Sequence, residues 1–471
     1  MNHMSLRQSA IAALAAAGTL CAAAAQAGEA KKAEAQGPVY FGGGAVLPAA
    51  GLIGKAQASG ANPTTAPAYS TSGGEVSAFG FFAKQLATPQ SVVSYCRGGS
   101  GFALDVIVGN SDASQDCSPV PGLESFFPQD FGFGAAPQPY ADFAASDLPL
   151  DASRYAAFVS HTADAGSALH GRGEPVQLPA VVSSIAVLYN NGDATARLNL
   201  DSEQLCGIFD GYIRDWNELD ASLPSKPIKV LYPAEKSPVT FALANHLSQV
   251  CSAYGHTFAL DAQFKKILPN PLPDTASTAQ FYPQLGNVVT AAAISLVDGA
   301  IGYVPTANSA GFVSDPVQFA KINGLDPIVN LPEASRSLSV SAIAADKVLG
   351  AYVQNGRPAL EPLSPAAQGC VLLVDPSAYA LPVDGYPILS VSYLLLSSSG
   401  NGVKLADVRR LGAFLQQAGS YPAAGVTTPR INAIDVASSS PDTGAKGIAS
   451  FRLDSDLAST VVAAAQSCIA N

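Results

Sequence analysis

One aspartate and three loops of small residues hold the chemistry that this chain can offer. Phe143-Ala144-Ala145-Ser146-Asp147-Leu148-Pro149-Leu150 sets a carboxylate between a small-residue strand end and a Leu-Pro stop. Alone, Asp147 reads as an ordinary strand-to-turn residue. Gly42-Gly43-Gly44-Ala45-Val46-Leu47-Pro48, Gly98-Gly99-Ser100-Gly101-Phe102 and Glu235-Lys236-Ser237-Pro238-Val239-Thr240-Phe241 change that reading. Small residues leave backbone N–H groups bare, and three such loops meeting at one point make an anion cradle. A carboxylate inside it repels a fully ionised anion. It can accept a hydrogen bond from an oxyanion that still carries a proton.

The elements that must position these loops alternate between strand and helix, which predicts an α/β fold. Tyr40 opens a short strand, and Pro48 to Gln57 suits a helix after the glycine loop. Val182 to Tyr189 alternates poorly and is apolar but for Ser183 and Ser184, as expected of a buried parallel strand. Ser202 to Phe209 and Pro238 to Cys251 read as helices. Ser237 before Pro238 is a strong start signal, a capping side chain followed by proline in the first turn. Val403 to Ala418 is amphipathic, and a last helix is predicted near Asp454 to Ser467. Residues 58–75 and 420–448, rich in Ser, Thr, Gly and Pro, read as loops.

The chain begins with a signal-peptide pattern. Arg7 supplies the positive region, Ala10 to Ala25 is apolar and small, and Ala25-Gln26-Ala27 fits a cleavage site, so maturation is expected at Gly28. Leu20 before Cys21 fits lipidation poorly. No other apolar run is long enough to span a bilayer, and the longest, around Ala291 to Val304, is broken by Asp298. The expected product is therefore periplasmic or secreted, with no membrane insertion after cleavage. Removing residues 1–27 deletes one arginine and no acid, so the formal charge goes from −11 to −12. That balance argues against nucleic acid and anionic membrane surfaces as partners. An acidic protein can still hold an anion through neutral donors and helix N-termini, which act at contact range.

Loss of Cys21 leaves Cys96, Cys117, Cys206, Cys251, Cys370 and Cys468. An even count in an exported chain implies three disulfides, with fifteen possible connectivities. No CxxC pair is present to suggest a metal, and no cofactor is expected.

In their order, the loops above and four further segments resemble the periplasmic phosphate-binding proteins of phosphate ABC transporters and their relatives, the DING proteins. Gly42 to Pro48 is similar to the family's opening Gly-Gly-Gly-Ala-Thr-Leu-Pro. Gln177 to Asn190 resembles its first hinge strand, and Leu200 to Trp216 its helix and turn ending in tryptophan. Asp298-Gly299-Ala300-Ile301-Gly302-Tyr303-Val304 resembles another family strand, and Asp384-Gly385-Tyr386-Pro387-Ile388 the return strand. The resemblance implies a type II periplasmic-binding-protein fold with two α/β lobes and the ligand between them. After a polar, disordered lead at 28–37, one lobe would take residues 38–178 and 382–471, and the other 179–381. It implies a monomer with inorganic phosphate or a similar oxyanion as ligand, and an ABC transporter permease as a further partner. Of the connectivities, the sequential set Cys96–Cys117, Cys206–Cys251 and Cys370–Cys468 is expected; the middle pair lies where DING proteins carry a bridge.

Carried over residue by residue, the resemblance implies anion contacts from Ala45, Val46, Ser100, Gly101, Asp147 and Ser237. The family's threonine hydroxyl in the first loop is lost, which leaves the backbone N–H groups of Ala45 and Val46. The fourth loop departs most. Pro233 stands at the family's arginine position, Pro238 replaces a glycine and cannot donate an N–H, and Val239 replaces a threonine. A charge-assisted hydrogen bond contributes roughly 1.5–3 kcal/mol, so these losses weaken the site for phosphate. Arg97 and Lys236 are the candidate compensating cations.

Three readings follow: an oxyanion receptor with a rebuilt site, a relative with a changed or lost ligand acting as a secreted surface or matrix protein, and a DING-type phosphatase. The residues give the third little help, so a non-enzyme is expected. His161, His170, His246 and His256 are scattered without H-x-H or H-E-x-x-H spacing, and G-x-S-x-G is absent. His246 and His256, flanking Cys251, read as helix-surface histidines, and Trp216 as a packing residue.

Overall fold

The structure, a computed structural model, describes residues 39–48, 52, 92–96, 98–111, 140–192, 197–268, 280–416, 449–450 and 453–470. In chain order its main elements begin with β1 (Val39–Gly43), β2 (Val92–Cys96), α1 (Ser100–Ile107), β3 (Ala144–Ser146), α2 (Ala152–Ala163) and β4 (Pro175–Asn190). The middle holds α3 (Ser202–Asp210), β5 (Lys229–Pro233), α4 (Pro238–Val250), β6 (Phe281–Gln284), α5 (Asn287–Leu296), β7 (Ala300–Pro305) and β8 (Val317–Phe319). The hairpin β9 (Lys347–Gln354) and β10 (Arg357–Pro362), then β11 (Leu389–Ser397), α6 (Leu405–Ala413) and α7 (Ser455–Cys468) complete it.

The 16-residue strand β4 organises everything else. Its first half pairs with β11, from Ser397↔Pro175 to Leu389↔Ser184, and its second half with β7, from Ile185↔Pro305 to Asn190↔Ala300. The sheet order is β3-β11-β4-β7-β5-β6, with β8 and Ala449–Ser450 also pairing with β4. The largely apolar run therefore marks a strand buried on both faces, as expected, but not a parallel one: β11, β7 and β8 all run antiparallel to it. Burial on both faces removes the polar alternation in either kind of sheet, so composition could not tell them apart.

Burial divides along β4. Val176, Leu178 and Val182 join a first core with Tyr40, Leu104, Phe143, Phe158, Tyr393, Leu411 and Leu457. Ile185, Val187 and Tyr189 join a second with Leu205, Trp216, Val230, Leu243, Tyr303, Tyr386 and Ile388. Ala186 and Leu188, on the opposite face, pack with Ile294, Val304 and Phe319. Leu331, Ala334, Val348, Leu363 and Val371 pack into the first core, although in sequence they lie within 179–381.

The local signals explain the element ends. In α3 the Asp201 side chain accepts from the Gln204 N–H while Gln204 reaches back to the Asp201 N–H, and Gly211, left-handed at φ 83°, closes the helix. Ser237 caps α4 with Pro238 in its first turn, and Asp454 caps α7. The amphipathic stretch from Val403 becomes a 3-10 turn, Gly402–Lys404, followed by α6. The loops expected at 58–75 and 420–448, the lead at 28–37, the signal segment and most of the helix expected after Pro48 lie outside the described residues.

Two of the expected disulfides are formed. Cys206–Cys251 joins α3 to the turn after α4, and Cys370–Cys468 ties the end of α7 to the segment before β11. The Cys96–Cys117 pair lies outside what is described, because Cys117 is not covered. Trp216 is fully buried, tilts against Tyr189 at 5.9 Å and donates its indole N–H to the Gly299 carbonyl at 3.2 Å. The two histidines differ from the helix-surface expectation. His246 is buried in α4, with Nδ1 2.8 Å from the Ala380 carbonyl. His256 is half-buried and pairs with Asp210. The apolar neighbours of His246 in α4 extend round the whole helix, which places it inside the protein.

Candidate functional site

The loops singled out in the sequence leave the C-terminal ends of strands, where α/β folds collect ligands. β1 and β2 run parallel and deliver the first and second loops side by side. At the start of the second, Gly99 donates its N–H to the Gly44 carbonyl at 3.0 Å. Gly44 sits at φ +123°, and a Cβ there would lie 2.1 Å from the Ala145 carbonyl oxygen, so only glycine lets the first loop press onto β3. β3 then ends and hands the chain to Asp147.

Asp147 is 2% exposed, and its carboxylate is surrounded by donors. Oδ2 accepts from the Leu47 N–H at 3.4 Å and from Ser100 Oγ at 3.3 Å, and Oδ1 from Ser392 Oγ at 2.5 Å. The Val46 N–H also donates to it. Ser100 Oγ in turn accepts the Asp147 N–H at 2.8 Å. Burial pushes the carboxyl up to about 6 from 3.8, against the downward pull of Ser392, Leu47, Ser100 and Val46. All four of these donors are neutral.

The residues expected in the site are therefore not all placed alike. Val46, Ser100 and Asp147 come together. Ala45 lies beside them, but its N–H is spent on the Ala145 carbonyl at 2.8 Å. Gly101 is in the first turn of α1, where helix N–H groups lack intrahelical partners. Ser237 is buried and uses its hydroxyl to cap α4, accepting the Val239 N–H at 3.3 Å; among the described residues none of its hydrogen bonds reaches the Asp147 group. Pro233 is buried at the end of β5, and Lys236 is exposed. Arg97 lies outside the described residues.

Two members of the group were not anticipated. Leu47 contributes an N–H that no side-chain pattern announces. Ser392 comes from a strand 245 residues further along the chain. Its signal was faint: a serine alternating with Ser390 inside the apolar run Leu389–Leu396.

The group lies where the two cores meet. Leu47 donates its N–H to Asp147 while its side chain packs in the second core, and Leu148, next to Asp147, packs against both. Among the described residues no three His, Cys, Asp or Glu side chains are grouped to hold a metal, and no helix is long and apolar enough to cross a membrane.

This architecture has known counterparts. Residues 61–415 match the model of the PBP superfamily domain. The chain belongs to that superfamily. Among curated proteins, this PBP-superfamily chain is 28% identical over 230 residues to alkaline phosphatase L of Pseudomonas aeruginosa, covering 48% of this chain and 55% of that one. It thus spans little more than half the length of that relative. It is 27% identical over 320 residues to a phosphate-binding protein from an unknown prokaryotic organism, covering 66% of this chain and 79% of that one. Among solved structures, a high-affinity periplasmic phosphate-binding protein, PfluDING, bound with phosphate, superposes with a TM-score of 0.55 at 20% identity, over 90% of this chain and 93% of that one. The fold is that of the type II periplasmic binding proteins, and the family resemblance to phosphate-binding and DING proteins holds.

Proposed function

We propose that this PBP-superfamily chain is a solute-binding protein that takes phosphate or a related oxyanion at the Asp147 group, between lobes that close about β4 and β11. The observation that carries this reading is the buried Asp147 carboxylate among Leu47, Ser100 and Ser392 at the meeting of two cores. An acceptor in such a place rewards a ligand that brings a proton, as a partly protonated oxyanion does. The names of its phosphate-binding relatives agree with it. The lobes are proposed as residues 38–178 with 382–471, and 179–381, with the anion contacts shared by Val46, Ser100, Gly101, Asp147 and Ser237. The proposal extends to an exported monomer, matured after Ala27, that delivers its ligand to an ABC transporter permease.

A second reading, a changed or lost ligand, draws on a specific observation. The Leu47 and Ser100 donors already serve Asp147, Pro238 has no N–H to give, and Lys236 is exposed. Calorimetric titration of the mature protein, dialysed free of phosphate, separates the two. Phosphate and arsenate binding, with sulfate rejected, supports the receptor; no heat with any of the three favours the second reading. Turnover of a phosphomonoester in the same cell would instead revive hydrolysis.

A further inference from the structure

The strand that returns to the first core places a side chain against Asp147 that the cradle loops do not supply. β11 runs antiparallel to β3, with Tyr393 opposite Ser146. Continued by one residue, that register puts Ser392 opposite Asp147, so the two side chains share a face. On its other edge β11 meets β4 with an irregular step: Ser392 pairs with Val181 but Tyr393 with Pro179, which leaves Ala180 as an extra residue on β4. Such a bulge re-aims the side chains beside it. The result is the 2.5 Å hydrogen bond from Ser392 Oγ to Asp147 Oδ1, between groups that are both buried.

We propose that Ser392 is the positioning residue of the anion site: it holds the Asp147 carboxylate ionised and oriented, and through it sets the preference for protonated over fully ionised oxyanions. This rests on the receptor reading above. Oδ2 is held from the first loop and α1 by Leu47 and Ser100, whereas the short bond to Oδ1 comes from Ser392. The groups facing the carboxylate are thus Val46 and Leu47 from the first loop, Ser100 from α1 and Ser392 from β11, all uncharged; among the described residues no cation takes part. Where Pro233 stands in place of a cationic partner, a neutral hydroxyl from the return strand does the work of keeping the charge. A carboxylate that loses this donor takes up a proton more readily, because the hydrogen bond favours the charged form. Once protonated, it can donate to sulfate and no longer discriminates against it.

The test has two arms on the full mature chain. The first follows the Asp147 carboxyl by carbon NMR of protein labelled at aspartate, assigned by its absence in Asp147→Asn. Ser392→Ala should move its titration midpoint up, and Ser392→Thr, which keeps the hydroxyl, should restore it. The second measures phosphate and sulfate affinity against pH. In Ser392→Ala the acid limb of phosphate binding should move to higher pH, and selection for phosphate over sulfate should fall about tenfold. Should Ser392→Ala fail to fold, Ser392→Cys, a much weaker donor, reads the same shifts. A wild type that binds phosphate, with both arms unchanged in the Ser392 variants, overturns the inference and leaves the receptor reading intact. A wild type that binds neither anion overturns the receptor reading and, with it, the role in selection; the NMR arm then decides alone whether Ser392 governs the carboxylate.

Discussion

The Tyr386 hydroxyl donates to the Ile185 carbonyl at 2.9 Å, and the Ile185 N–H donates to the Ile388 carbonyl at 3.0 Å. The two contacts tie the returning chain to β4 at the residue where β4 passes from the first core to the second. Tyr386→Phe keeps the ring packed and leaves a buried carbonyl short of one donor. A loss of about 1–3 kcal/mol is expected, read by urea denaturation. Trp216 is the only tryptophan and lies in the second core, so its fluorescence reports unfolding of the side where Tyr386 packs.

Asp147 is held above its unfolded value, at about 6 against 3.8. The folded protein therefore binds the proton more tightly than the unfolded chain. The stability this gives is complete below about pH 4 and is lost as pH rises through 6. Asp147→Asn should stabilise the unliganded protein above pH 6, by at most about 3 kcal/mol, and change little below pH 4. Thermal denaturation from pH 4 to 8 in phosphate-free buffer checks this. A variant destabilised at pH 8 would mean that the ionised carboxylate holds the first loop and α1 together.

His246 has the opposite sign. Burial lowers it to about 4 from 6.5, and its Nε2 has no partner among the described residues. Its contribution is present above about pH 6.5 and is lost as pH falls towards 4, by about 3 kcal/mol in all. His246→Asn retains a donor for the Ala380 carbonyl and removes the titration, so its stability should fall less on acidification than that of the wild type. Between pH 4 and 6 the two buried groups pull against each other. Wild-type stability should be nearly flat there, with slopes of opposite sign appearing in Asp147→Asn and His246→Asn.

What the sequence disclosed depended on how local each signal was. Ser237 with Pro238 announces a helix start within two residues, and α4 begins where that signal lies; the helix read from Ser202 also begins there. The glycine loops and Asp147 were legible because adjacent glycines, as at Gly42–Gly44 and Gly98–Gly99, and a carboxylate at the end of a small-residue strand are local patterns. The direction of β4 was not legible, since a strand buried on both faces looks the same in parallel and antiparallel sheets. The burial of His246 was not legible because it shares its helix with Thr240, Asn245, Ser248 and Gln249, a polar share that fits a solvent-facing side as well as a buried one until the helix's neighbours are known. Ser392 was beyond reach for a different reason: its meeting with Asp147 is made by the register of β11 against β3, which no single segment encodes.

The two described disulfides are expected to differ in how they open. Cys206 and Cys251 are buried in the second core, whereas Cys370 and Cys468 are half-buried and anchor the last helix at the edge of the first. Attack by a thiolate requires access to a sulfur, so mild reduction of the folded protein should open Cys370–Cys468 first, with Cys206–Cys251 surviving until the second core unfolds. Differential alkylation and mass spectrometry would show the order. The two bridges close loops with separations of 98 and 45 residues. Each contributes about 2–4 kcal/mol by constraining the unfolded chain, and the longer loop contributes somewhat more. Cys370→Ser with Cys468→Ser should therefore lower stability by that amount while leaving Trp216 emission unchanged in the folded state, because α7 packs through Leu457, Val461 and Ala465 into the first core alone. A shifted Trp216 emission in that variant would mean that the bridge transmits order across β4 into the second core.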